Sequence, residues 1–361
     1  MHGGESRFSN PYHESVPYLT HPDDLGDLLP GQPSYRVDQL RRWLYRTPVL
    51  DVQEMTNLPT DVRATLELWP FTVEVARSAD GGRTVKWLFR APDGAALEAV
   101  LIGYKDRATV CISSQAGCAL GCTFCATGQF GFERHLEAGE IVAQVAFARA
   151  HLRSSGMPNV PSRLTNVVFM GMGEPLANYE QVREAIRRII DEMGISARSL
   201  TVSTVGIVPG MTRLAEEPWP VNLAISLHAA DDELRTSLVP INSRYPLAAV
   251  EAAAAAYFEK KHRRISIEWA LMEGVNDSDE QAHGLAAIAR RLRAHVNVIS
   301  LNPTPLSPML PSSRIDEFVA RLRAAGVNAT KRRNRGQDID AACGQLRAGT
   351  GLKGASGTAE T

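Results

Sequence analysis

Apolar and polar positions change their rhythm along the chain. From Cys111 onward, short apolar bursts rich in β-branched residues alternate with longer stretches of helical period. Counting ATVCISS as the first, the bursts are NVVFMGM, SLTVSTVG, VNLAISLH, RISIEWALM and VNVISLNP, six strands in all. Between and after them lie LEAGEIVAQVAFARAHL, YEQVREAIRRIIDEM, PLAAVEAAAAAYFEKKH, SDEQAHGLAAIARRLRAH and SRIDEFVARLRAAG. This alternation predicts an α/β fold with a parallel sheet and right-handed crossovers. The unusual residues fall where strands end: Cys118 onward, Gly171–Glu174, Ser203, Ser226–His228, Met272 and Asn302. In barrel-like α/β folds that end carries function, so one site at the mouth of an open or partial barrel is expected.

The upstream chain reads differently. Residues 33–70 have helical period with few β signals, and Leu40, Trp43 and Leu44 share one face, which predicts a small helical accessory domain. Residues 71–110 hold FTVEVARS, TVKWLFRA and ALEAVLIGY, separated by Asp80–Gly81–Gly82 and Pro92–Asp93–Gly94 turns, a β extension of antiparallel strands. Residues 1–32 are polar and rich in Pro, Gly, His and Asp, a flexible lead-in. Residues 349–361 read as a disordered tail, leaving 111–348 as the core.

Composition adds exclusions. With 44% hydrophobic and 22% charged residues, the 361-residue chain is ordinary for a globular protein. No apolar run approaches the roughly 18–20 residues of a membrane helix, and the N-terminus has no signal-peptide core, so a cytoplasmic protein without membrane partners is expected. The net charge of −1 excludes a global basic signature of nucleic-acid binding. Basic residues still cluster, at Arg41–Arg42 with Arg46, at Lys260–Arg264, at Arg290–Arg291 with Arg293, and at Lys331–Arg333 with Arg335. Each run is either a solvated face or a phosphate contact.

Five cysteines, three of them in eight residues, favour metal or thiol chemistry over structural disulfides. Cys118, Cys122 and Cys125 supply soft thiolates that suit either an iron–sulfur cluster or zinc. Three ligands hold three irons of a cubane and leave the fourth open. A structural zinc knot needs a fourth ligand, and the nearest histidine, His135, lies beyond the loop.

The spacing Cys118-x3-Cys122-x2-Cys125, with Phe124 before the last cysteine, resembles the radical S-adenosylmethionine (SAM) superfamily signature. Further blocks resemble one family within it: VCISSQAGCALGCTFCATGQFGF, VVFMGMGEPLANY, VSTVGIVPG, AISLHA, LVPIN, EWALMEGVND and RGQDIDAACGQL, together spanning most of residues 35–347. This is the RlmN family, whose members methylate adenine C2 in 23S rRNA and in some tRNAs. The resemblance implies a partial (β/α)6 TIM-like radical SAM barrel with an N-terminal helical accessory domain that binds RNA. It implies a [4Fe–4S] cluster on Cys118, Cys122 and Cys125, and two SAM molecules per turnover. By the same resemblance Cys343 carries the methyl group, Cys111 resolves the intermediate through a transient disulfide, and Glu98 is the general base. Gly173, Glu174, Ser203, Ser226, Leu227, His228 and Asn302 match the family's SAM contacts, although His228 read alone is as well a structural histidine. The implied partners are 23S rRNA in a protein-poor or precursor state, tRNA, and an electron donor such as flavodoxin or ferredoxin, with the chain a monomer. Two other readings stay open: Cfr-like methylation at C8 of the same rRNA adenine, and a non-catalytic RNA-binding protein with a structural metal.

Overall fold

The structure is a computed structural model that describes residues 15–154, 156–304, 306–332, 335–342 and 344–346. One ten-stranded sheet dominates it. Three strands of the β extension, β1 (Thr72–Ala79), β2 (Thr84–Arg90) and β3 (Ala96–Gly103), form an antiparallel meander. Strand β3 continues antiparallel onto β4 (Ala108–Cys111), so the extension and the core share one sheet. From β4 the sheet is parallel and runs in chain order through β7 (Asn166–Phe169), β8 (Leu200–Thr204), β9 (Asn222–Ser226), β10 (Ser266–Leu271), β11 (His295–Ser300) and β12 (Asn328–Arg332). The first and last strands do not pair, so the barrel is partial and open, as the sequence pattern and the resemblance imply.

Strand β12 is a seventh parallel strand where the sequence pattern gives six. Its NATKR sequence buries only Ala329, because it is an edge strand with one neighbour, so no apolar alternation announces it. Two short strands, β5 (Gln115–Gly117) and β6 (Phe132–His135), form a separate hairpin that brackets the cysteine loop.

The helices are α1 (Ser34–Arg41) and α2 (Thr60–Thr65) in the accessory region, then α3 (Ala126–Gln129), α4 (Ala138–Ser154), α5 (Tyr179–Asp191), α6 (Val208–Glu216), α7 (Asp232–Leu238), α8 (Leu247–Lys261), α9 (Asp279–Arg291) and α10 (Ile315–Ala324). All but α3 and α7 contribute to the continuous core that also holds the apolar faces of the strands. None is long and apolar enough to cross a membrane.

Residues 15–32 correct the expected flexible lead-in, of which residues 1–14 lie outside the described residues. Val16, Tyr18, Leu25 and Leu29 are buried, and the Tyr18 hydroxyl donates to the Leu44 carbonyl at 2.8 Å. Four spaced apolar residues anchor a segment whose average composition is polar. The predicted disordered tail lies outside the described residues.

Candidate active site

The cysteine loop is a hairpin closed at its base. Gln115 pairs with His135 and Ala116 with Arg134, and the Cys118 N–H donates to the Gly131 carbonyl at 2.7 Å. Gly117 has φ +75°, and a Cβ there would lie 2.1 Å from that same carbonyl, so glycine is required for the closure. The Thr123 N–H donates to the Leu238 carbonyl at 3.1 Å, which ties the loop to the end of α7. Cys122 is buried against Phe124, Ala229, Leu238, Val239, Met272 and Leu301, while Cys118 and Cys125 are half-buried. Burial pushes the Cys118 thiol up to about 12, opposed by a backbone hydrogen bond at Leu120 and reinforced by Cys125 and Glu174. Burial also raises Cys122 well above the ordinary thiol range, with Cys125 and Cys118 adding to it. Each thiol thus feels its neighbours' charge, the arrangement that a polynuclear cation would neutralise with release of protons. Among the described residues no three His, Cys, Asp or Glu side chains converge as one bound metal ion would require. Three soft thiolates in one loop suit three corners of a cubane, whereas a structural zinc knot needs a fourth ligand.

A cavity of about 170 Å³ opens beside this loop at the C-terminal ends of the strands. Cys122, Cys125, Gly173, Glu174, Ser203, Ser226, His228 and Asn302 all line it. Eight of the residues expected in the cluster and SAM site are thereby gathered in one place. Leu227 is not in the wall: its side chain joins the main core, and its N–H donates to the Glu268 carbonyl at 3.1 Å. Gly173 has φ +93°, and a Cβ would meet the Gln115 side chain at 2.5 Å. The Ser203 and Ser226 hydroxyls lie 3.4 Å apart on neighbouring strands. His228 has φ +63°, unusual for a non-glycine residue and found where function over-determines the backbone. Its Nδ1 accepts the Ala270 N–H at 3.0 Å, which leaves the proton on Nε2. Burial, then Arg235, lowers it to about 3, so the ring is neutral.

Glu174 and Glu268 are the acids in this cavity's wall. The Glu174 carboxylate oxygens accept the Leu176 N–H at 3.0 Å and the Val205 N–H at 2.9 Å. Burial nevertheless raises it to about 7 from an ordinary value of 4.5, against these hydrogen bonds. A cationic amine docking here would draw it to the carboxylate form. Between pH 4.5 and 7 the folded chain holds a proton that the unfolded chain has lost, so this group's contribution to stability falls as pH rises through that window. In Glu174→Gln the contribution disappears. Chemical denaturation should show the variant gaining on wild type by up to about 3 kcal/mol between pH 5 and 8. A stability difference that stays flat with pH would refute the raised value.

The strand register carries one concave face through the sheet. Lys86 opposes Val100, Val100 opposes Cys111, Cys111 opposes Val168, and Val168 opposes Thr201. The same face continues through Ser203 and Ala224, Ser226 and Glu268, Glu268 and Asn297, and Ile299 and Arg332. A second cavity of about 490 Å³ lies along it, with Cys111 in its wall. Met170, Glu268 and Arg332 line both cavities and so form the boundary between them.

Glu98 is on this face, 3% exposed, with its Oε1 3.0 Å from Lys86 Nζ. Its neighbours in ALEAVLIGY are apolar. It is indeed buried, but an ammonium stands beside it and favours the carboxylate. Cys343 lies outside the described residues. Its neighbours Ala341 and Ala342 line the second cavity with Cys111, and Gly344 lines the first with Cys122 and Cys125.

Sequence reasoning missed Glu268, Arg332 and Lys86. Glu268 was legible in the alternation of SIEWAL, where Ile267, Trp269 and Leu271 are buried in the core and Glu268 takes the other face. Arg332 hides inside a basic run: Lys331 ion-pairs outward with Asp316, whereas Arg332 turns inward, 3.3 Å from Glu268. The accessory region also differs from its composition. Tyr45 is buried, and Trp69 stacks on Tyr18 and Phe71, so neither ring offers an open face to a base; Tyr35 is the exposed aromatic, at 52%. Arg41 and Arg46 donate to the Pro22 and Asp191 carbonyls and staple the module in place.

A sequence model of the Radical SAM superfamily matches residues 112–287, and one of the ribosomal RNA large subunit methyltransferase N-terminal domain matches residues 29–69. The chain is 52% identical to a probable dual-specificity RNA methyltransferase RlmN from Parafrankia, over 88% of this chain and 87% of the relative. It is 48% identical to the protein of the same description from Chloroflexus aurantiacus, over 88% of each. The crystal structure of a radical SAM methyltransferase from Sphaerobacter thermophilus superposes with a TM-score of 0.87 at 48% identity, covering 92% of this chain and 99% of that one.

Proposed function

Because the chain belongs to the RlmN family of radical SAM RNA methyltransferases, and so uses SAM, a [4Fe–4S] cluster and an RNA substrate, we propose that it methylates C2 of one adenine in 23S rRNA and of an adenine in some tRNAs. Adenine C2 lies between two ring nitrogens and has no lone pair with which to attack a sulfonium methyl, so it needs a radical route. When bound, the cluster and SAM supply a 5′-deoxyadenosyl radical and, from a second SAM, the methyl group. Cys118, Cys122 and Cys125 hold the cluster. Glu174 takes the amino group of SAM, Gly173, Ser203, Ser226, His228 and Asn302 complete its pocket, and Leu227 backs it from the core. Cys343 carries the methyl, which gives one hydrogen atom to that radical and bonds to C2 as a methylene. The adduct returns its odd electron to the redox centre and Glu98 accepts the proton leaving C2. Cys111 then attacks the Cys343 sulfur, and the S–C electron pair and a proton pass to the methylene, completing the methyl and leaving a disulfide.

The observation that carries this reading is the adjoining pair of cavities. One holds Cys122 and Cys125 with Glu174, the other holds Cys111; Gly344, after position 343, lines the first, and Ala341 and Ala342, before it, line the second. The enzyme acts in the cytoplasm as a monomer, draws electrons from a flavodoxin- or ferredoxin-like donor, and meets 23S rRNA before ribosomal proteins cover it. Mass spectrometry of rRNA and tRNA from a deletion strain tests it. One C2 methyl should vanish from each substrate and return with wild type but not with Cys343→Ala. Loss of a C8 methyl would instead establish the Cfr-like reading, and unchanged RNA would refute both.

A further inference from the structure

Lys86 has no part in the chemistry above, yet its position is costly. It is 7% exposed in β2, between the core residues Val85 and Trp87. A buried ammonium persists only with partners. It has Glu98 on the adjacent strand, at 3.0 Å, and it donates to the Asp340 main-chain carbonyl at 2.9 Å. Asp340 precedes Cys343 by three residues and has φ +53°, a left-handed conformation, where its carbonyl meets the ammonium. The same segment packs on β2 near Thr84, where a Cβ at Gly336 would come within 3.0 Å of the threonine methyl. Its other end is tied to the cluster loop: the Ala126 N–H donates to the Gly344 carbonyl at 2.8 Å, and the Thr127 hydroxyl to the Leu346 carbonyl at 2.6 Å.

One ammonium thus touches both the carboxylate assigned as base and the segment assigned as methyl carrier. We propose that Lys86 is a positioning residue that keeps Glu98 charged and in register with the methyl-carrying segment, an inference that rests on the base assignment of Glu98. The balance is simple. The proton leaving C2 passes to the Glu98 carboxylate, giving a neutral acid, while the C–H electron pair stays on the ring. Lys86 keeps all its protons throughout. Once Glu98 is neutral, the Asp340 carbonyl is the polar partner that still holds the ammonium, so the segment stays docked while the base is spent.

The test uses full-length reconstituted enzyme and substrate RNA, with Lys86→Met, Lys86→Gln, Lys86→Arg and Glu98→Gln compared. Turnover, the fraction of enzyme trapped as a covalent protein–RNA adduct, and hydrogen exchange of the 336–346 peptide are read together. The neutral Lys86 variants should slow turnover by about tenfold or more, accumulate adduct, and exchange faster in that peptide. Lys86→Arg should restore adduct resolution, because the charge returns. If Met fails to fold, Gln and Arg carry the comparison. Neutral variants that turn over like wild type beside a stalled Glu98→Gln overturn the role of Lys86 and leave the base assignment standing. Wild-type turnover by Glu98→Gln overturns the base assignment and this inference with it.

Discussion

Cys122→Ala should yield a folded chain that binds no cluster and leaves RNA unmethylated. The two consequences differ in size for physical reasons. In the fold, the substitution removes one sulfur from a pocket of Phe124, Ala229, Leu238, Val239, Met272 and Leu301, worth about 1–2 kcal/mol of transfer and cavity terms. That is a minority of an ordinary domain's stability. The loop keeps its other ties, at Gly131 through Cys118 and at Leu238 through Thr123. For the cluster, the loss is one of three protein ligands. Far-ultraviolet circular dichroism should therefore match wild type, while anaerobic reconstitution yields no charge-transfer absorption and no bound iron. A variant that kept its full iron content and methylated RNA would remove Cys122 from the ligand set. The same experiment separates a cluster from a zinc knot, since wild-type protein that reconstitutes colourless with zinc would fail at the first step.

The sequence conveyed the element order of the core because each parallel strand from β4 to β11 carries a dense apolar burst and is separated from the next parallel strand by at least one helix. Edge position broke the rule for β12, whose single buried residue leaves no pattern. The site's strand-end residues were legible for a topological reason: chemistry gathers where parallel strands end, so Glu174, Ser203, Ser226 and Asn302 could be picked without coordinates. What could not be read was which face a charged residue takes. Lys331 and Arg332 are adjacent, and only strand register sends one to solvent and the other toward Glu268. Lys86 was equally hidden, because its partner Asp340 lies 254 residues away and no local spacing reports that approach. Residues 15–32 misled in the opposite direction: mean polarity outweighed four anchoring side chains.

Arg235→Met should be the most damaging single change outside the cysteines. Arg235 is fully buried in α7. Its Nε donates to the Leu227 carbonyl at 3.1 Å, its Nη1 to Asn242 Oδ1 at 2.7 Å, and its Nη2 to the carbonyls of Val205 and Ser226. One planar fork thereby fixes the chain just past the ends of β8 and β9, where Ser226 and His228 enter the cavity wall. Burial lowers the guanidinium to about 10, so it remains charged at neutral pH. Two effects compete on replacement. Removing a desolvated cation is favourable and can offset much of the loss when a whole buried pair goes. Here the hydrogen-bond partners left behind are three main-chain carbonyls and the Asn242 side-chain oxygen, neutral acceptors that methionine cannot satisfy. With each orphaned buried acceptor costing about 1–3 kcal/mol, the net loss should be about 3–5 kcal/mol, seen as a lower denaturation midpoint. Lys keeps the charge but cannot span four acceptors with one nitrogen, so Arg235→Lys should fall between the two. Affinity for SAM, measured calorimetrically on the cluster-loaded protein, should fall in the same order. A methionine variant as stable as wild type would mean that the strand ends hold their places unaided, and that the buried cation answers to some other constraint.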